Sequence, residues 1–175
     1  IMQTLAPVFT DKSILKIGHN IKFDNKFLYR FGINEIAPLF DTMLAEYCID
    51  SASPTLALKD MAENYLKMKV IHYEDVVAQP KKQTLLDVPF DKLFVYSGQD
   101  SYLTLKLYQM LEDKIFQDSQ RIHLFYDIEM PLVQVLSDME MAGIGVNANH
   151  LHELAKKMDE EIAIQREKMF DIAGY

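Results

Sequence analysis

An α/β fold is the expectation for this chain of 175 residues, and two patterns lead to it. Short apolar runs of strand length alternate with helix-period segments in the first part, while the chain after about residue 90 reads mainly as helix. With 49% apolar residues, the chain has material for one real core and is too short for two full domains.

Residues 2–9 read as a helix that runs out into a Thr10-Asp11-Lys12-Ser13 turn. Ile14-Leu15-Lys16-Ile17-Gly18 is an apolar run suited to a buried strand. Asn20 is placed as the N-cap, and Gly32 as the C-terminal stop, of a helix of about three turns. Residues 37–40 form a second short strand, and Asp41 caps a helix over 42–49. Leu58, Met61, Ala62, Tyr65 and Leu66 supply the apolar face of the next helix. Periodicity then fades between 70 and 89, where Lys81-Lys82-Gln83 reads as an exposed loop. A long helix follows over 90–115.

The character changes near Tyr126, which is taken as a domain boundary between 1–125 and 126–175. Met130-Pro131 opens a helix over 132–141 that Gly143 stops. After a brief extended Ile144-Gly145-Val146, Asn147 or Asn149 caps a helix reaching almost to Ala173. Its apolar residues (Leu151, Leu154, Met158, Ile162, Met169, Ile172) form one narrow stripe on a heavily charged rod, the pattern of a helix that projects from a body.

Composition narrows the classes without choosing one. A net charge of −8 argues against gripping duplex DNA along its length, which requires basic stripes. It leaves room for an enzyme handling a few terminal nucleotides, where acidic groups hold divalent ions and the ions carry the positive charge. The single cysteine, Cys48, rules out a disulfide framework, fits a reducing compartment and reads as core. No stretch approaches the ~20 apolar residues that span a bilayer, and no basic-then-apolar leader opens the chain. Starting at Ile1 and stopping behind a long helical pattern, the sequence is expected to be a segment of a longer one.

Two carboxylates sit where helix faces should be apolar. Asp24, Leu28 and Phe31 are spaced i, i+4, i+7, which predicts an inward-leaning face shared with core residues. In the long helix, Leu93, Tyr96, Asp100, Leu103, Leu107 and Leu111 recur in steps of three or four, so Asp100 lies in an apolar stripe one turn after Tyr96. An unpaired carboxylate in such a place costs several kcal/mol and needs a cation, donors or a proton. A buried salt bridge, a cap and a metal site all answer that need, and periodicity does not choose among them.

The local strings go further. Gly18-His19-Asn20-Ile21-Lys22-Phe23-Asp24 resembles the second motif of proofreading nucleases of the DEDD superfamily, with an asparagine three residues before an aromatic-Asp pair. Tyr96-Ser97-Gly98-Gln99-Asp100 resembles their third motif, Tyr-x-x-x-Asp, in the tyrosine-bearing branch. The flanks Phe40-Asp41-Thr42-Met43-Leu44 and Asp100-Ser101-Tyr102-Leu103-Thr104-Leu105-Lys106-Leu107 match as well. Ile128-Glu129-Met130-Pro131-Leu132-Val133-Gln134-Val135-Leu136 with Gly143-Ile144-Gly145-Val146 resembles the stretch joining exonuclease to polymerase in bacterial family A DNA polymerases. The resemblance covers essentially the whole chain.

It implies a ribonuclease-H-like α/β exonuclease fold, truncated at its N-terminus and followed by helices leading into a polymerase thumb. It also implies two-metal phosphodiester hydrolysis in a bacterial cytoplasmic enzyme of DNA replication and repair. Asp100 would be a direct ligand of the tighter ion and Asp24 would hold the second, largely through water, with Mg²⁺ or Mn²⁺ as cofactor. The two ions lie about 4 Å apart in such sites. Tyr96 would orient or help deprotonate the attacking water. Asn20 and Phe23 would contact the 3′-terminal nucleotides, and Tyr73 would stack on an unpaired base. The expected partners are a single-stranded 3′ end of DNA and the polymerase domain of the same parent chain.

Departures from the family pattern limit those implications. Only nineteen residues precede Asn20, so the family's first motif, Asp-x-Glu, and the central hairpin bearing it are expected to be missing, leaving the segment inactive alone. Asp127-Ile128-Glu129 has the right letters at the wrong place. Thr55-Leu56 stands where many relatives carry a basic residue and histidine, and Gln99 replaces an acidic neighbour of the third-motif aspartate. His150-x-His152 reads as a solvated helix start, and the ten methionines as packing. Two other readings stand beside the exonuclease: a catalytically decayed scaffold for the polymerase, and a stand-alone RNA-trimming nuclease of the same superfamily.

Overall fold

The computed structural model describes residues 2–77 and 84–174, so the loop expected at Lys81-Lys82-Gln83 lies outside the described residues. The chain divides into two compact units, Ile1–Met141 and Ala142–Tyr175.

The first unit opens with helix α1 (Met2–Thr10) and strand β1 (Lys16–Gly18). Helix α2 (Ile21–Arg30), strand β2 (Leu39–Asp41) and helix α3 (Thr42–Ile49) follow. The strands pair in parallel, Lys16 opposite Leu39, Ile17 opposite Phe40 and Gly18 opposite Asp41, with α2 as the crossover. Gly32, at φ +79°, ends α2 as expected. Ile33 N donates to Leu28 O (3.1 Å) and Gly32 N to Tyr29 O (2.9 Å), while Ile33 buries itself just beyond.

Helix α4 (Leu58–Met61) widens into a π-helical turn over Ala62–Leu66, and the short helix α5 (Tyr73–Val76) precedes the 27-residue helix α6 (Phe90–Phe116). Leu103, Leu107 and Leu111, the second half of the stripe that the sequence spacing predicts, are fully buried in α6 together with Ile115, while Leu93, Tyr96 and Asp100 are half-buried. Leu107, Leu111 and Ile115 meet Ala45 of α3, Met61 of α4 and Phe40 of β2 in the main core, while Leu103 packs with Ala62 and Val70 in a smaller one. Phe40 is the hub, with Tyr108 edge-on at 4.8 Å and Phe125 tilted at 4.8 Å.

Three sequence expectations need correction here. Met130-Pro131 does not open a helix: the backbone is already helical from α7 (Ser119–His123), through a π-helical segment Leu124–Glu129, into α8 (Met130–Ala142). Asp118 caps that run by accepting from Gln120 N at 2.9 Å. Asn20 occupies the N-cap position of α2 but in a left-handed conformation with no side-chain cap bond, because Asp41 supplies the acceptor instead. The α2 face turned inward carries Ile21 and Asn25, while Phe31 is 62% exposed and Asp24 is exposed along one side.

In the second unit, Gly143 stops the preceding helix at φ +73°. Asn147 accepts from His150 N at 3.0 Å to cap α9 (Ala148–Ala173), a helix without a buried residue. Its predicted apolar stripe is present and exposed. Among the described residues, no helix is long and apolar enough to cross a membrane.

Candidate active site

The site is assembled at the C-terminal ends of the two strands, where one buried carboxylate organises the backbone. Asp41, only 1% exposed, accepts from Asn20 N (3.1 Å) and Ile21 N (2.7 Å) at the start of α2. The same carboxylate accepts from Met43 N (2.8 Å) and Leu44 N (3.4 Å) at the start of α3. Two helix N-termini thus share one anion, which complements both sets of free N–H groups and both helix dipoles. Thr42 adds a strut: its hydroxyl donates to Gly18 O (3.1 Å) and stands at hydrogen-bond distance, 3.0 Å, from His19 Nδ1. Gly18 has no room for a side chain, because a Cβ there would stand 2.9 Å from two Ile21 side-chain carbons.

This scaffold opens onto a cleft of about 530 Å³ lined by Ile17, Gly18, His19, Asp24, Leu58, Asp100, Ser101, Thr104 and Leu105. Asp24 and Asp100, the two aspartates singled out in the sequence, therefore face one cavity from α2 and α6. The protein on its inner side raises the Asp24 carboxyl above the usual carboxylate range, and the Asp41 charge adds to this. Burial lowers the His19 imidazole pKa, against the opposing pull of the Asp41 and Asp100 charges. The Tyr96 phenol is pushed up, first by burial and then by Asp100, Glu74 and Tyr73. The Lys59 ammonium pairs with Asp100 Oδ1 and lies 4.7 Å from the centroid of the Tyr96 ring.

The remaining predicted residues are distributed less tightly. Tyr73 opens α5 near enough to Tyr96 to influence its ionisation. Phe23 is on the open flank of α2, 53% exposed and tilted against Phe27 at 5.1 Å. Asn20 lines a second cleft with Asp41, Leu132 and Glu129, whose walls include neither Asp24 nor Asp100. Asp127 Oδ2 accepts from His123 Nδ1 at 2.7 Å and stays outside the Asp24–Asp100 cleft, as does Glu129. Cys48 packs against the core with its thiol pushed up to about 11 by burial, and His150 and His152 are exposed at the start of α9.

Gln99, a departure from the family pattern, has a visible task. Its Oε1 accepts from Ile71 N (2.6 Å) and its Nε2 donates to Lys69 O (3.3 Å), tying the segment before Tyr73 to α6. An acid in its place could not donate to the carbonyl. Thr55, the other departure, donates to Asp60 Oδ2 at 2.7 Å.

Sequence reasoning passed over His19 and Lys59. His19 lay inside a recognised string, flanked by the residues that drew notice. Lys59 left only a faint signal, a cation set among the apolar residues Leu58, Met61 and Ala62. Its partner is 41 positions away.

Hard oxygen donors from Asp24 and Asp100 in one cleft suit Mg²⁺ or Mn²⁺ in kind, with water and phosphate oxygens completing the shell. Among the described residues, however, no group of three or more His, Cys, Asp or Glu side chains gathers into a metal centre.

Two solved structures share this architecture. One described as the apo form of the nuclease superposes with a TM-score of 0.65 at 21% identity, covering 79% of this chain and 64% of its own. Brucella melitensis NrnC bound to pGG gives 0.61 at 20% identity, covering 82% of this chain and 68% of its own. At that identity the likeness establishes the ribonuclease-H-like exonuclease fold. DNA polymerase I of Chloroflexus aurantiacus is 32% identical over 99% of this chain, and that of Treponema pallidum 29% identical over all of it. DNA polymerase I of Borreliella burgdorferi is 38% identical over 77% of the chain. The chain spans about 18% of the length of the first two relatives. A family model described as 3′-5′ exonuclease matches residues 1–116. With this match added to the cleft's two motif aspartates, the chain belongs to the 3′→5′ exonuclease family found in the family A DNA polymerases, the DNA polymerase I type.

Proposed function

We propose that residues 1–125 are a proofreading 3′→5′ exonuclease segment of a DNA-directed DNA polymerase, and that residues 126–175 begin its polymerase domain. The observation that carries the reading is the convergence of Asp24 and Asp100, from different helices, on one cleft with Tyr96 beside it. Asp100 would be the direct ligand of a divalent ion, Mg²⁺ or Mn²⁺, and Asp24 would hold a second ion, largely through water. When bound, such ions neutralise phosphate charge and stabilise the attacking and leaving oxygens of an in-line displacement. Tyr96 would orient the attacking water through a hydrogen bond or help to deprotonate it. Tyr73, Phe23 and Asn20 contact the terminal nucleotides of a single-stranded 3′ end, with Tyr73 and Phe23 offering ring faces to bases.

Two carboxylates are a thin donor set for two ions, and among the described residues no third one joins them. The chain alone is therefore expected to digest DNA weakly or not at all. The test is digestion of a 5′-labelled single-stranded oligonucleotide with Mn²⁺, using this chain, the same chain extended upstream in its gene, and Asp100→Ala in each. The expected result is a ladder shortening from the 3′ end with the extended chain only, lost in its Asp100→Ala variant. An extended chain that digests equally well with Asp100→Ala removes that aspartate from the chemistry. One that never digests points to the scaffold role instead.

A further inference from the structure

Lys59 brings a full positive charge to the carboxylate assigned above as the direct metal ligand. It stands on α4, next to Leu58 of the cleft wall, with its side chain only 14% exposed against 31% for Asp100. Its ammonium is held from two sides, by Asp100 Oδ1 and by the face of Tyr96 at 4.7 Å. Asp60, its chain neighbour, is engaged by Thr55 at 2.7 Å.

We propose that Lys59 is a positioning residue that competes with the divalent ion for Asp100, setting the threshold of metal at which the site fills. An ammonium and a divalent ion cannot both sit on one half-buried carboxylate oxygen without strong repulsion. A divalent ion on either Asp100 oxygen is repelled by that ammonium, so metal entry favours its departure from Oδ1, and the four-carbon stem of lysine permits that without moving the helix. Until then the same ammonium satisfies Asp100 and holds it against Tyr96, so the ligand stays aimed into the cleft. This inference rests on the reading that Asp100 binds metal, and the experiment separates the two.

Binding of Mn²⁺ to the purified chain is followed by the electron paramagnetic resonance signal of the free ion, for the parent chain, Lys59→Gln, Lys59→Arg and Asp100→Asn. Lys59→Gln is expected to bind Mn²⁺ about fivefold more tightly, the factor matching a half-exposed ion pair. Lys59→Arg keeps the competing charge and should stay close to the parent, and Asp100→Asn should lose the binding. A purely structural role for Lys59 would move the affinity the other way, since an unsupported ligand binds less well. Equal or weaker binding by Lys59→Gln, with loss in Asp100→Asn, overturns the competition and leaves the metal reading standing. No binding at millimolar Mn²⁺ by the parent chain and Lys59→Gln alike refutes the metal reading for this chain, and the competition with it. Unchanged binding in Asp100→Asn refutes both, as the ion would then sit elsewhere.

Discussion

Replacing Asp41 by asparagine should damage the site more than a single-atom change suggests. Three of its four backbone donors, Asn20 N, Met43 N and Leu44 N, point at Oδ1, and Ile21 N alone points at Oδ2 at 2.7 Å. Asparagine with its oxygen at Oδ1 keeps the first three and sets an NH₂ group against the Ile21 N–H. A buried donor left without an acceptor costs about 1–3 kcal/mol. Loss of the negative charge at two helix starts adds about 0.3–1 kcal/mol for each. The expected total is about 2–5 kcal/mol, a large share of the roughly 5–15 kcal/mol that holds a typical domain together. Urea unfolding followed by far-ultraviolet circular dichroism measures it, since the chain has no tryptophan. Amide exchange locates it, with Ile21 the amide that should lose protection first. A loss below about 0.5 kcal/mol, the range of ordinary surface substitutions, would refute the shared-anion account, as would unchanged protection at Ile21.

Further expectations come from other parts of the first unit. Glu140 pairs with Lys22 (2.5 Å) and Lys26 (2.6 Å), whose hydrogen bonds lower its pKa to about 2 from an ordinary 4.5. Its folded pKa being the lower one, the stability it contributes is full above about pH 4.5 and fades as pH falls toward 2; a Glu140→Gln variant should flatten the pH dependence of the unfolding midpoint in that window, and an unchanged slope would count against the pairing. Gly18→Ala forces a methyl against Ile21 and should cost about 1–3 kcal/mol by the same urea titration, whereas a neutral result would mean that α2 yields freely. Gln99→Glu keeps the bond from Ile71 N and loses the one to Lys69 O, so exchange should quicken at residues 69–73 with a cost of about 0.5–1.5 kcal/mol; Gln99→Glu indistinguishable from the parent chain would dismiss the clamp.

How much of this was legible beforehand depended on the range of the interaction involved. Local rules located β1, β2, α3 and α6 to within about two residues, because Asp41, Gly32 and the leucine spacing of α6 act through neighbours in the chain. The Asp24 and Asp100 strings marked the two walls of the cleft, but nothing local said that Lys59 would bridge to Asp100, a pairing that exists only after α4 lies against α6. Asn20 failed as a capping side chain for the same reason: a stronger acceptor arrived from the neighbouring strand, 21 positions on. Asp24 was read as inward from its spacing with Leu28 and Phe31, yet the burial of Asn25 shows the helix turned by about one residue from that expectation. The Tyr96 phenol and the Tyr73 helix were named from the family strings, and the mutual influence of their side chains could not be read from either string alone.

The π-helical segment at Leu124–Glu129 carries a consequence for comparing relatives. Phe125 and Met130, both buried, are five residues apart, whereas Met130, Val133 and Ser137 resume the spacing of three and four. The widened turn accommodates one residue more than an α-helix would, and the inward face stays continuous across it. A relative with an unbroken α-helix here must have one residue fewer to keep the same face inward. Ungapped alignment through the segment would then match core positions on one side of it with surface positions on the other. Deleting a single residue between 124 and 129 should therefore be gentler than deleting one a turn later in α8, since the first closes the helix back to regular pitch and the second rotates the buried face out of register.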